Sequence, residues 1–387
     1  FRGVAGDQPP RDPWSLKEAL APHMTAEDTQ ASVRLACAEA LAAGITSVIN
    51  WGHNWTGPEE ADANLRGLVG SGIRARYAPG APSTKWGLSL AEMDAVMAGV
   101  GRRVNEPMDI PDLARIKRDW FDGAAVDDRI RLGVSLRGPA RSTPEVVEQE
   151  FRAARDLGVP IYMHCAGTLA EVGRIRQVEV LDGLSLLGPD LRLAHGMHLS
   201  STDIQLMADN GVALAITPIS ELRLELGMAP LTELRQAGIL VSLGFDNPAY
   251  AAAMDMFVTM RVTLGLERTR QGRVEAIGPR DVLEMATIDG ARYLGLDDVA
   301  GSLTPGKRAD IVLVRRDDLN LAPAGRPADA LVFSAAPGNV DTVIADGRLL
   351  KVAGQLTACD PVGIAHEADA ALRRICQRAG ATDLLSA

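Results

Sequence analysis

The chain has 387 residues, 47% hydrophobic and 23% charged, with a formal net charge of -10. That length suits one large barrel-type domain, with room for a smaller companion. The acidic balance and the 4% aromatic content argue against a nucleic-acid binder, which needs cations for phosphates and rings for bases.

In chain order, residues 1–24 read as loop, rich in Pro, Gly and charge, with a short helix at Ser15–Ala21. A helix follows with Thr25 as N-cap and Asp28 at N3, and Gly44 ends it. Strands then come regularly, at Thr46–Asn50, Ile73–Ala78, Ile130–Leu136, Pro160–Cys165, Leu191–His195, Val212–Thr217 and Leu240–Asp246. Helices fill the gaps at Glu59–Ser71, Leu90–Val100, Thr143–Leu157, Leu169–Leu187, Thr202–Asn210 and Leu231–Ala237. Alternating strands and helices predict a parallel sheet of the (β/α) barrel kind. A closed barrel needs eight strands, and seven are counted. Because the chain opens with loop and helix, the strand expected to be absent is the first. The α/β fold class is therefore a TIM-like (β/α)8 barrel lacking its first strand.

After Asp246, helices are expected at Ala251–Thr263, Gly278–Thr287 and Asp289–Leu294. The texture then changes to short β-type runs at Ile311–Val314, Ala330–Phe333, Val340–Ala345 and Gly347–Leu350. Asp346-Gly347 between two of them is a hairpin signal. The expected division is a barrel over 1–300, part of a small β-sandwich over 301–357, and a C-terminal segment over 358–387 with a helix at Ala365–Ala379.

Four cysteines, Cys37, Cys165, Cys359 and Cys376, show no C-x-x-C spacing and read as free thiols in a reducing cytoplasm. No apolar run approaches the ~20 residues of a membrane span. The polar start, Phe1-Arg2-Gly3-Val4, has neither Met nor a signal-peptide pattern, so the chain reads as cut from something longer.

Three strands end on polar groups: His164, His195 and Asp246. Parallel α/β folds place their chemistry at such C-terminal strand ends. His53 follows another strand at the same mouth, where it would line a substrate pocket. Trp51, Trp55 and Trp86 could stack on a flat ring or serve as core packing. Glu221, at a helix start, is a candidate acid/base or substrate anchor against a solvated charge. His198 reads as a surface or capping residue, Cys165 as packing, and His23 and His366 as surface.

Met163-His164-Cys165-Ala166, Ala194-His195-Gly196-Met197-His198 and Leu243-Gly244-Phe245-Asp246-Asn247 resemble metal-dependent hydrolases of the amidohydrolase superfamily. The likeness is to the branch of cytosine and S-adenosylhomocysteine deaminases and triazine chlorohydrolases. Gly301-Ser302-Leu303-Thr304-Pro305-Gly306-Lys307-Arg308-Ala309-Asp310-Ile311-Val312-Leu313-Val314 is its most specific segment. Thr287–Gly295, Asn50–Asn54 and Arg2–Asp7 are further landmarks, so the likeness covers nearly the whole chain.

The resemblance implies one divalent metal, Zn²⁺ or else Fe²⁺, with His164 and Asp246 as ligands and His195 beside the bound water or substrate. Such an ion acidifies its water, and Asp246 would take the proton. His195, Asp246 and Glu221 are the expected catalytic residues, with Trp51, His53 and Asn247 binding substrate. The implied activity is displacement of an amine or other leaving group from a small cyclic or heteroaromatic substrate. Nucleic acid and membrane are not expected partners, and a homodimer is possible on the family pattern.

Two features depart from the resemblance. No H-x-H pair exists among the six histidines; it would fall upstream of Phe1, in agreement with the absent first strand. The glutamate that family deaminases carry three residues after the strand-five histidine is Gly167 here, with Thr168, Glu171 and Glu221 as the nearby polar groups. Two other readings therefore stand beside the first. One is a truncated or inactive barrel that only binds a ligand or partner. The other is amide or carbamate hydrolysis, although Ser135-Leu136-Arg137-Gly138 offers no lysine for a carbamylated two-metal site.

Overall fold

The computed structural model describes residues 1–6, 13–53, 55–81, 104–123, 127–251, 253–323 and 325–385. The expected helix at Leu90–Val100 and Trp86 lie outside them. Among the described residues, eight short strands run parallel in two rows. β1 (Ser47–Gly52), β2 (Arg74–Pro79) and β3 (Ile130–Leu132) form one, in that order. β4 (Val134–Leu136), β5 (Ile161–Cys165), β6 (Leu191–His195), β7 (Ala213–Ile216) and β8 (Val241–Leu243) form the other.

The expected strand Ile130–Leu136 is thus divided at Gly133. A Cβ there would meet the Tyr162 ring at 2.8 Å, so only glycine lets the chain pass, while Gly133 N–H still donates to Tyr77 O at 2.8 Å. The seven expected strand positions are all present. β1 and β8 are the outer strands. β1 is half-buried over Ser47–Trp51, whereas β2 is buried throughout. The helix Ile288–Leu294 packs on both outer strands, and its Tyr293 hydroxyl donates to Leu193 O at 3.1 Å.

Strand alternation sorts the side chains into two apolar sets. Ile161, Met163, Cys165, Leu191, Leu193, Leu214 and Ile216 join the large core beneath the helices. Ile49, Trp51, Ala78, Tyr162, Ala213 and Ala215 share the opposite, inward face. Cys165 is buried packing, as expected.

The helix Ala26–Ala42 carries the expected capping box between Thr25 and Asp28. Gly44 follows it with φ +87°. The strand pair at Asp346-Gly347 also forms, with both turn residues at positive φ (53° and 74°), the conformation a tight type I′ turn needs. It joins β10 (Val340–Ala345) to β11 (Arg348–Val352), in an antiparallel sheet ordered β12 (Gln355–Leu356), β11, β10, β9 (Ile311–Val314).

Three expectations are corrected. Ala330–Phe333 is not a strand but the end of a helix, Pro327–Phe333. Its apolar run suits either period, and Pro327 in the first turn favours the helix. Leu169–Leu187 is two helices, Leu169–Val172 and Gln177–Gly183, interrupted from Gly173. The helix expected at Ala251–Thr263 runs instead over Met256–Gln271, because Asp255 caps it through Val258 N–H at 3.0 Å.

The parallel array and the antiparallel sheet meet at a buried ion pair. Arg74 of β2 donates to Asp310 through Nε (3.1 Å) and Nη2 (2.9 Å), and to Asp346 at 3.2 Å. Arg74 and Asp310 side chains are 2% and 5% exposed. Lys351 of β11 adds a bond from Nζ to Ala42 O at 2.6 Å.

Candidate active site

The C-terminal ends of the parallel strands carry a linear array of imidazoles. His164, on the inward face of β5 two residues after Tyr162, occupies its middle. Its Nε2 lies 3.1 Å from His53 Nε2, and its Nδ1 lies 3.1 Å from His195 Nε2. His195 Nδ1 is 3.2 Å from Glu221 Oε1, and His53 Nδ1 is 3.5 Å from Ser135 Oγ. The rings of His164 and His195 stack with centroids 5.1 Å apart and planes 9° from parallel. The Trp51 indole sits 4.5 Å from His164 and 5.1 Å from His53.

Alternation alone would send His195 outward with Leu191 and Leu193. A backbone φ of +79° turns it to the mouth instead. Ala166, just after β5, and Asp246, just after β8, are also left-handed (50° and 65°). Such conformations are unfavourable for residues with a Cβ, and they concentrate at functional sites.

Glu221 is held by its own turn. Thr217 N–H and Oγ1–H both donate to Oε1, at 2.8 and 3.0 Å, and Ser220 Oγ donates to Thr217 O at 3.0 Å. Glu221 and Ser220 are buried. Burial pulls the His195 pKa down, but the Glu221 hydrogen bond and charge, aided by Asp246 and Glu171, outweigh it, so the net shift is upward. His53 behaves oppositely. Burial, then the charges of Lys17 and Arg141, lower it to about 3. Burial and neighbouring cationic groups likewise hold His164 well below its ordinary value. His53 and His164 are therefore neutral, and His195 is the ring that takes a proton.

Hydrogen-bond capacity fixes two alternative proton orders along the array. With His195 neutral, its Nδ1–H donates to Glu221, His164 Nδ1–H to His195, His53 Nε2–H to His164, and Ser135 to His53. With His195 protonated at both nitrogens, each inter-ring bond reverses and His53 Nδ1–H donates to Ser135. One proton at His195 Nε2 thus reorders the row.

The structure brings together Trp51, His53, His164, His195 and Glu221. Asp246 stands apart: its Oδ1 accepts the Asn247 N–H at 2.6 Å, and its charge reaches His195. Asn247 is exposed, and its Oδ1 accepts Ala249 N–H at 2.8 Å. Glu171 is occupied by Ala166 N–H at 2.8 Å and by Gln177. Trp55 is buried, bonded to Asp112 at 2.9 Å, so of its two readings packing holds. Sequence reasoning missed Ser135, Gln177, Thr217 and Ser220. The run Thr217-Pro218-Ile219-Ser220-Glu221 did carry a signal for the last two, since it combines an N-cap residue, a first-turn proline and a carboxylate within reach of the cap.

The sequence profile of the Amidohydrolase family matches residues 5–350. The chain belongs to the amidohydrolase family. It is 30% identical over 384 residues to the 5′-deoxyadenosine deaminase of Methanothermobacter thermautotrophicus, covering 96% of this chain and 82% of that protein. It is 29% identical over 388 residues to the 5-methylthioadenosine/S-adenosylhomocysteine deaminase of Desulforudis audaxviator, covering 97% and 83%. In structure it is similar to a zinc-bound adenosine deaminase from Xanthomonas campestris, with a TM-score of 0.80 at 26% identity, over 97% of this chain and 82% of that one. This amidohydrolase is accordingly a hydrolase-type enzyme.

The family implies a divalent metal. Among the described residues, no three His, Cys, Asp or Glu side chains are grouped so as to hold one. The Nε2 atoms of His53 and His164 offer two neutral donors 3.1 Å apart, near the roughly 3.3 Å edge of a tetrahedral zinc site. A third donor does not join them. The described residues do not close a ligand set.

Proposed function

We propose that this amidohydrolase is a deaminase. Water adds to a ring carbon of a small heteroaromatic amine, the C–N bond breaks, and the amino group leaves as ammonia, carrying one proton that came from the water. The observation that carries the reading is the His195–Glu221 pair, buried at the mouth of the barrel strands beside His164 and Trp51. Its support from comparison is the run of adenosine-type deaminases among the relatives.

His195 Nε2 faces the row of rings, while Nδ1 is committed to Glu221. That division fixes the ring's orientation and stabilises its protonated form, as a carboxylate does for a catalytic histidine elsewhere. His195 accepts a proton from the attacking water and returns it to the departing amine. Trp51 offers the flat apolar face against which a ring stacks. Asp246, whose charge acts on His195, is the second carboxylate of the site.

We also propose a zinc requirement, with His164 and Asp246 among the ligands, on the strength of the zinc-bound relative. The domain division at about residues 300 and 357, and a cytoplasmic location, belong to the same reading. No described helix is long and apolar enough to cross a membrane. The purely binding alternative has no support in these likenesses.

The test is ammonia release from 5′-deoxyadenosine by zinc-supplemented protein, with Glu221→Gln alongside. The variant keeps the shape and removes the charge that favours protonated His195, so turnover should fall about 10²-fold or more. Equal rates for wild type and variant would remove the pair from the mechanism.

A further inference from the structure

We propose that the floor of the barrel is a second binding site, in which Arg192, with Arg76 and Arg131 beside it, holds a small tetrahedral oxyanion of the phosphate class. It lies toward the opposite end of the strands from the imidazole row and does not depend on the deaminase reading.

Strand register places the three arginines in one layer. Ile49, Tyr162 and Ala213 lie on the inward face. Ile49 pairs with Arg76 and Arg76 with Arg131, while Arg192 pairs with Tyr162 on one side and Ala213 on the other. Residues paired in register share a face, so all three arginines belong to the interior. Arg192 precedes His195 by three residues on β6, about 10 Å along an extended strand. Branched apolar side chains usually fill such layers, so three guanidiniums in one of them need a reason.

The three meet at Gly295, just after the helix Ile288–Leu294. Arg131 Nη1 donates to Gly295 O at 2.8 Å, and Arg76 Nη2 to the same oxygen at 3.3 Å. Gly295 is left-handed (φ +62°), and a Cβ there would lie 3.1 Å from Arg76 Nη2 and 3.9 Å from Arg192 Nη2. Two forks thus approach one spot that carries no side chain. Arg76 is otherwise committed, with Nε on Leu294 O and Nη1 on Leu132 O, both at 2.6 Å. Arg131 is held by Asp298 at 3.0 and 2.8 Å. Arg192 differs. Its Nε is buried without a hydrogen-bond partner, it has no ion pair among the described residues, and its guanidinium bears on the Tyr162 hydroxyl.

Charge is out of balance here. Asp298, 61% exposed on the outer side, is the carboxylate paired with the group, and the helix end adds roughly half a negative charge. Tyr162 and Tyr293 stay neutral, because burial raises both. Burial also lowers the Arg76 pKa, and Arg131 and Arg192 lower it further. About one and a half positive charges are left over, next to a buried N–H with nothing to donate to. An anion removes both costs. A tetrahedral oxyanion accepts from forks arriving on several strands, whereas a planar carboxylate is matched by one fork.

The test is thermal denaturation and calorimetry in Tris chloride, with inorganic phosphate or acetate added at constant ionic strength, on wild type, Arg192→Met and Arg192→Lys. Phosphate should raise the wild-type melting temperature saturably, and acetate less. Arg192→Met should bind phosphate about tenfold or more weakly, and Arg192→Lys should fall between. In chloride alone Arg192→Met should melt at or above wild type, because a like charge is gone, and saturating phosphate should reverse that order. No saturable effect on wild type, an equal effect on wild type and Arg192→Met, or acetate matching phosphate would overturn the proposal. So would an Arg192→Met protein already less stable in chloride, since the arginine would then serve the fold alone.

Discussion

His195 sits where local preference and position disagree most. Its place in β6 assigns it to the outer face, and a positive φ returns it to the mouth, where Glu221 receives its Nδ1–H. The row of rings makes a prediction at this same scale, for the metal-free chain in chelator. His53 titrates near 6.5 when unfolded but only at about 3 when folded, chiefly through burial. A depressed folded pKa means that the unfolded chain binds the extra proton between those values. The contribution to stability is thus complete above pH 6.5 and is lost as pH falls toward 3, at up to about 1.4 kcal/mol per pH unit from this group. Urea midpoints at pH 7 and pH 5 should converge in His53→Asn relative to wild type, because asparagine takes up no proton. An unchanged pH gap in the variant would show that His53 is exposed or already paired in its charged form.

At the scale of elements, much of the fold was written in short-range chemistry. The Thr25–Asp28 capping box, the apolar strand runs and the Asp346-Gly347 turn each announce themselves within a few residues. The division at Gly133 does not, because its cause is the Tyr162 ring arriving from β5. Nor does the helix at Pro327–Phe333, where four apolar residues fit either period and a single proline decides. His164 was legible as a strand end, whereas the partners that hold Glu221 were visible only as an uninterpreted cap. Gly44 gives the prediction for this scale. It combines φ +87° with a Cβ position 3.1 Å from Val340 and 3.2 Å from Val312. Alanine there would meet the left-handed penalty of about 1–2 kcal/mol and also press β9 and β10 away from the preceding helix. A lower denaturation midpoint is expected for Gly44→Ala, and a midpoint equal to wild type would mean the joint is looser than described.

For the molecule as a whole, a parallel array and an antiparallel sheet are joined through the buried Arg74, Asp310 and Asp346 contacts, and the helix Ile288–Leu294 bridges the outer strands β1 and β8. This frame holds five strand ends together, so that side chains from the end of β1, from β4, β5 and β6, and from the segment after β7 converge within hydrogen-bond distance. Fold and family account for the scaffold; the deaminase reading depends on what that convergence does to water. The most direct test is turnover of 5′-deoxyadenosine by the zinc-supplemented protein in ¹⁸O-labelled water, with the product read by mass spectrometry beside an ammonia assay. The account predicts one labelled oxygen on the ring carbon that lost its amine, and one ammonia for each product formed. Product without the label, or loss of a group other than the amine, would contradict it.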